Sequence, residues 1–247
     1  MNDSAQDARP RADCFATTRW TLVLSAGRKS SPQSDQALAE LCSAYWYPLY
    51  AYVRRQGRSR EDAEDLVQAF FARFLERNDL DGLDAQRGRF RAFLLASLKH
   101  FLANEWDRSQ RQKRGGGIPH LSLDWQDAEG RYHLEPPDPT PPEPLFDRAW
   151  ALALLQRVVN RLEAECASED RDRLFQHAKG FLTFGAEGRT YAEAARELGL
   201  DEGALRVAVH RLRRRYRDLL RDEIAQTLAD PALVDEELRS LQLALSS

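Results

Sequence analysis

The chain has 247 residues, 43% apolar and 30% charged, with five tryptophans and a formal net charge of −3. That is apolar material for one large core or two small ones, and too much for a disordered chain. No apolar run approaches the ~18 residues of a membrane span, and no basic start followed by an apolar core marks a signal peptide, so a cytoplasmic protein with no membrane contact is expected.

The cysteines Cys14, Cys42 and Cys166 lie far apart, with no CxxC pair and no histidine at metal-ligand spacing. Reduced packing thiols are expected, and neither a metal nor a cofactor. The small net charge conceals local asymmetry. Residues 86–114 carry eight Lys/Arg against two acids, residues 119–147 seven acids against one Arg, and residues 222–247 six acids against one Arg. Two basic blocks separated by an acidic connector suggest two contacts with one polyanion.

In chain order, residues 1–34 form an N-terminal extension with a short apolar patch at Trp20, Leu22 and Leu24. Residues 35–114 read as a first helical body. Leu38, Leu41, Cys42, Tyr45 and Leu49 recur at helical spacing until Pro48 perturbs or ends that helix. Ser59 can cap the next helix, whose first turns hold Glu61, Asp62, Glu64 and Asp65 and whose apolar face holds Leu66, Val67, Phe70, Phe71, Phe74 and Leu75. A loop over 78–88 precedes a third helix with Phe90, Phe93, Leu94, Leu98, Phe101 and Leu102 inward, running out into Arg108–Arg114.

Three glycines at 115–117 and seven of the eleven prolines make 115–144 a Gly/Pro-rich linker. Its thirty residues reach at most about 100 Å, enough for two modules to sit one or two turns apart on DNA. The second body, 145–222, opens with the stripe Trp150, Leu154, Val158 and Leu162, followed by Leu174, Phe175, Phe181, Leu182 and Phe184. It then reads as a helix over 191–198, a turn at Gly199 and a second helix opening at Asp201-Glu202-Gly203, the pattern of a helix-turn-helix. From Gly203 to Arg217 that second helix carries six arginines and no acid, which is the footprint of a phosphate partner. Leu205, Val209 and Leu212 form its packed face. Residues 223–247 are an acidic C-terminal extension, suited either to covering a basic helix or to docking a partner. The fold class is therefore all-α: two small helical domains joined by a linker.

The segments REDAEDLVQAFFARFLE, RGRFRAFLLASLKHFLANEWDRSQRQKR and TYAEAARELGLDEGALRVAVHRLRRRYRDLL, in this order, resemble bacterial RNA polymerase sigma factors of the extracytoplasmic-function type. These are sigma-70 relatives that keep only regions 2 and 4. The resemblance covers roughly 35–114 as region 2 and 145–222 as region 4. It implies a DNA-binding transcription initiation factor, not an enzyme, whose partners are core RNA polymerase and promoter DNA. An anti-sigma factor, a kinase or the tail itself is a candidate restraint, and an anti-sigma partner would cover the two basic surfaces. By the resemblance, Asp62, Glu64, Asp65, Gln68 and Arg73 would contact polymerase. Arg87, Arg89, Arg91, Lys99, His100, Arg108, Arg111, Lys113 and Arg114 would capture the minus-10 element as a single strand. Arg206, Val207, His210 and Arg211 would read the minus-35 element, with Arg213, Arg214 and Arg215 on phosphates. Phe93 and His100 stand where many relatives have Trp and Asn.

Two other classes fit the sequence less well. A repressor or response-regulator output domain would need a sensor or receiver, and residues 35–114 show no βαβ alternation. An enzyme acting on nucleic acid would need clustered metal-binding carboxylates or an activated nucleophile, and the acids of 62–65 have no His or Gly-rich phosphate loop nearby.

Overall fold

The computed structural model describes residues 19, 31–77, 89–109, 132, 141–182 and 190–246. Among these residues there are eight α-helices and no strand: α1 Pro32–Arg55, α2 Arg60–Arg77, α3 Phe90–Ser109, α4 Pro142–Ser168, α5 Asp172–Ala178, α6 Tyr191–Leu198, α7 Glu202–Ala225 and α8 Val234–Ser246. The molecule is all-α. The apolar patch at Trp20, Leu22 and Leu24, the loop 78–88 and nearly all of the linker lie outside the described residues.

Local chemistry explains most helix ends. Ser31 and Ser34 form a reciprocal capping box at α1, with Ser34 N donating to Ser31 Oγ at 3.1 Å and Ser31 N to Ser34 Oγ at 2.9 Å. Ser59 Oγ accepts from Asp62 N at 3.1 Å and caps α2. A second capping box, Thr190 with Glu193, opens α6. Gly199, at φ +68°, ends α6 in the left-handed region that L residues avoid. Asp201 then accepts from Ala204 N at 2.9 Å to start α7.

Two sequence expectations change. Pro48 neither ends nor breaks α1, which runs on through it to Arg55. An interior proline costs about 3 kcal/mol, but Tyr45, Leu49, Tyr50 and Val53 around it are all fully buried. At ~1.5–3 kcal/mol per large apolar side chain, that burial outweighs the lost hydrogen bond. Helix α4 opens at Pro142, inside the proline run read as linker. Pro142 and Pro144 fit there because the first helical turn has no acceptor for their missing N–H.

The helices of the two stretches share a core. The most extensive helix pairing is α1 with α4, followed by α1 with α2 and α4 with α7. Trp150 of α4 donates its Nε1 to the Tyr45 hydroxyl at 3.0 Å, Tyr45 meets Phe90 edge-on at 5.0 Å, and Tyr52 meets Phe146 edge-on at 6.4 Å. Phe70, Phe74, Phe93 and Phe101 interlock between α2 and α3. The final helix α8 packs on α4 and α7 through Val234, Leu241 and Ala244. No described helix is long and apolar enough to cross a membrane.

Candidate nucleic-acid interface

Helix α7 divides its residues by period. Leu205, Val209 and Leu212 are buried, while Arg206, Val207, His210, Arg211, Arg213, Arg214 and Arg215 are exposed. The exposed cations are not equivalent. Arg213 donates through Nε and Nη2 to the Phe181 carbonyl at 3.0 and 2.7 Å. Arg215 makes a two-pronged pair with Glu165 at 2.8 and 2.7 Å. That hydrogen bond, against the pull of burial, holds the Glu165 carboxyl below its ordinary pKa. These two arginines fasten α7 to the body. Arg206 stands at the helix start over the Tyr191 ring at 4.4 Å, and its Nε donates to Glu202 at 2.9 Å. Tyr191 in turn stacks on Phe181 at 4.2 Å. Val207 is 51% exposed, so an apolar side chain stands in the middle of the outward face.

The residues named for single-strand capture fall in different places. Arg87, Arg111, Lys113 and Arg114 lie outside the described residues, as does the side chain of Arg108. His100 is exposed on α3. Lys99 is paired with Glu143 of α4, a hydrogen bond that raises the lysine pKa and lowers that of the glutamate.

Arg89 and Arg91 enter a charge cluster centred on the buried Glu237. Arg91 Nε donates to Glu237 Oε1 at 2.7 Å, its Nη1 reaches Asp147, and its guanidinium lies 4.5 Å from the centre of the Trp150 ring. Arg89 Nε forms an ion pair with Glu237 Oε2 at 2.7 Å, and its Nη2 donates to Glu236. Arg91 is 7% exposed and Glu237 1%. Burial opposes the charge on Arg91, but Glu237 and then Asp147 outweigh it and push its pKa above the usual arginine value. Burial likewise drives the neighbouring Tyr45 phenol far above its ordinary range. Backbone contacts reinforce the junction: Phe90 N donates to the Thr227 carbonyl at 3.0 Å, and Arg89 pairs antiparallel with Leu228.

On α2, Asp62 and Asp65 are exposed, and Glu64 pairs with Arg60 at 2.8 Å. Gln68 and Arg73 are half-buried. Arg73 lies 4.0 Å from Glu105 and 5.9 Å from the Phe101 ring. Phe70 and Phe74 are buried and Leu66 is half-buried, so the acidic and apolar faces of α2 separate as their spacing requires.

Sequence reasoning missed Asp147, Glu236 and Glu237 as partners of the arginines. One signal was present: Val234, Glu237, Leu241 and Ala244 share a single helical stripe, so Glu237 is a carboxylate on an apolar face. A buried carboxylate needs a cation. Glu223, counted with the acidic extension, is also buried, in the last turn of α7, and accepts from Arg161 at 3.0 Å.

Against known proteins, residues 43–112 match the family model described as Sigma-70 region 2, spanning the second half of α1, all of α2 and α3. Neither the curated proteins nor the solved structures yielded a match. The likeness to sigma-70 region 2 covers 70 of the 247 residues, and it supports a sigma factor role in transcription initiation.

Proposed function

We propose that the chain is a cytoplasmic sigma factor of the extracytoplasmic-function type, with no chemistry of its own, that binds core RNA polymerase and directs it to a two-part promoter. The observation that carries this reading is the region 2 match on α1–α3, with Asp62 and Asp65 of α2 standing exposed beyond the apolar face. Those acids would meet a basic surface of the polymerase while Phe70 and Phe74 hold the helix in place. In the same reading α6, Gly199 and α7 form the helix-turn-helix. Arg206, Val207, His210 and Arg211 would face the bases of the upstream element, and Arg214 a phosphate. The basic stretch from Arg87 to Arg114 would take the melted downstream strand, with cations tracking its backbone.

The test is binding of the full chain to bacterial core polymerase beside the triple variant Asp62→Ala, Glu64→Ala, Asp65→Ala. One-to-one binding is expected, weakened about tenfold in the variant, equivalent to about 1.4 kcal/mol. Absence of binding by the full chain would overturn the proposal.

A further inference from the structure

Arg89 stands just before α3 and Arg91 in its first turn, and the chain's own C-terminal segment contacts both guanidiniums. Three carboxylates surround the pair: Glu236 and Glu237 from α8 and Asp147 from α4. Two cations facing three anions leave the cluster with an excess of negative charge, which repels an approaching phosphate instead of receiving it. A second, independent tie lies in the backbone, where the antiparallel bridge from Arg89 to Leu228 and the Phe90–Thr227 hydrogen bond hold the turn after α7 against the start of α3. By contrast, the outward face of α7 at Arg206, His210, Arg211 and Arg214 stays exposed. On α7 itself, Asp235 of α8 pairs with Arg221 at 2.6 Å, beyond that face. Glu236 and Glu237 are therefore turned to the start of α3 and not to the outward face of α7.

We infer that α8 is a built-in competitor for single-stranded nucleic acid at Arg89 and Arg91, so that strand capture requires Glu236 and Glu237 to leave the two guanidiniums. The inference rests on the proposed reading of these arginines as strand contacts. Carboxylate and phosphate present the same forked acceptor geometry to a guanidinium, so the two anions exclude each other at one arginine. A binding site populated only when α8 has withdrawn loses apparent affinity in proportion to its open fraction.

The test uses the full chain, a fluorescein-labelled single-stranded DNA of mixed sequence, and the variant Glu236→Gln with Glu237→Gln, which keeps hydrogen-bonding shape and removes two charges. Fluorescence anisotropy should show affinity raised about tenfold, as for a site open about a tenth of the time. The slope of log affinity against log salt should steepen by ~0.7 for each phosphate gained. Unchanged or weaker DNA binding by variant protein that keeps the helix content of the parent by circular dichroism would overturn the inference. If the double variant does not fold, Glu236→Gln alone decides, because that side chain is 56% exposed. It should still tighten binding about threefold, and no change in it would likewise refute the competitor. Core polymerase binding measured on the same preparations separates the two proposals. Polymerase binding with unmoved DNA affinity sinks the competitor alone, while tightened DNA binding without polymerase binding sinks the sigma reading alone.

Discussion

Replacing Arg91 by Ala should be among the most costly single changes in the molecule. Glu237 is 1% exposed, accepts a hydrogen bond from Arg91 Nε at 2.7 Å and forms an ion pair with Arg89 Nε at 2.7 Å. Without Arg91 the buried carboxylate keeps one cation in place of two, and Trp150 loses the guanidinium 4.5 Å above its ring. Each charge-assisted hydrogen bond is worth about 1.5–3 kcal/mol, and breaking a buried pair from one side costs about 3–5 kcal/mol. At ~2–4 °C per kcal/mol for a chain of this size, the melting temperature should fall by about 6–20 °C. Arg91→Lys should cost less, because an ammonium keeps the charge but cannot span Glu237 and Asp147 together. Asp147→Asn should cost less again, since the Asp147 side chain is 42% exposed. Urea unfolding followed by far-ultraviolet circular dichroism measures all three. A loss below about 1 kcal/mol for Arg91→Ala, the range of solvated surface pairs, would refute the reasoning.

Gly199→Ala should destabilise by about 1 kcal/mol, because an added Cβ meets nothing within 4 Å and the whole penalty is the left-handed backbone at φ +68°; the urea midpoint checks it, and an unchanged midpoint would contradict the assignment. Arg215→Ala should flatten the acid side of the stability profile. The Arg215 hydrogen bond holds the Glu165 pKa below its unfolded value, so this pair stabilises the fold above the unfolded pKa and the contribution disappears as pH falls through the lowered folded one. Urea midpoints of parent and variant should therefore differ most at neutral pH and converge on the acid side of the ordinary glutamate range; a constant gap would disprove the linkage.

Legibility followed the range of the interactions. The span of α6 and the start of α7 were readable at Gly199 and Asp201, because capping chemistry acts over three or four residues and leaves its mark in the local sequence. The stripe Trp150, Leu154, Val158 and Leu162 was readable for the same reason, and all four residues are buried. The passage of α1 through Pro48 was not readable, since it depends on burial of Tyr45, Leu49, Tyr50 and Val53 against distant helices. Nor was the charge cluster. Arg91 and Glu237 are separated by 146 positions, and spacing along a chain carries no record of such a meeting. Local reading placed Arg89 and Arg91 with the basic residues of α3 as a surface for strands. Their pairing with Glu236, Glu237 and Asp147 shows that a cation's value to a ligand depends on what the fold has already set beside it.

The anchoring of α7 has a consequence for recognition kinetics and entropy. With Arg213 gripping the Phe181 carbonyl and Arg215 clasping Glu165, the helix is fixed in azimuth about its own axis before any partner arrives. Arg206, propped between Tyr191 and Glu202, starts from a restricted set of rotamers. A partner meeting this face encounters a pre-aimed array whose orientational freedom was surrendered during folding, so little further ordering opposes association.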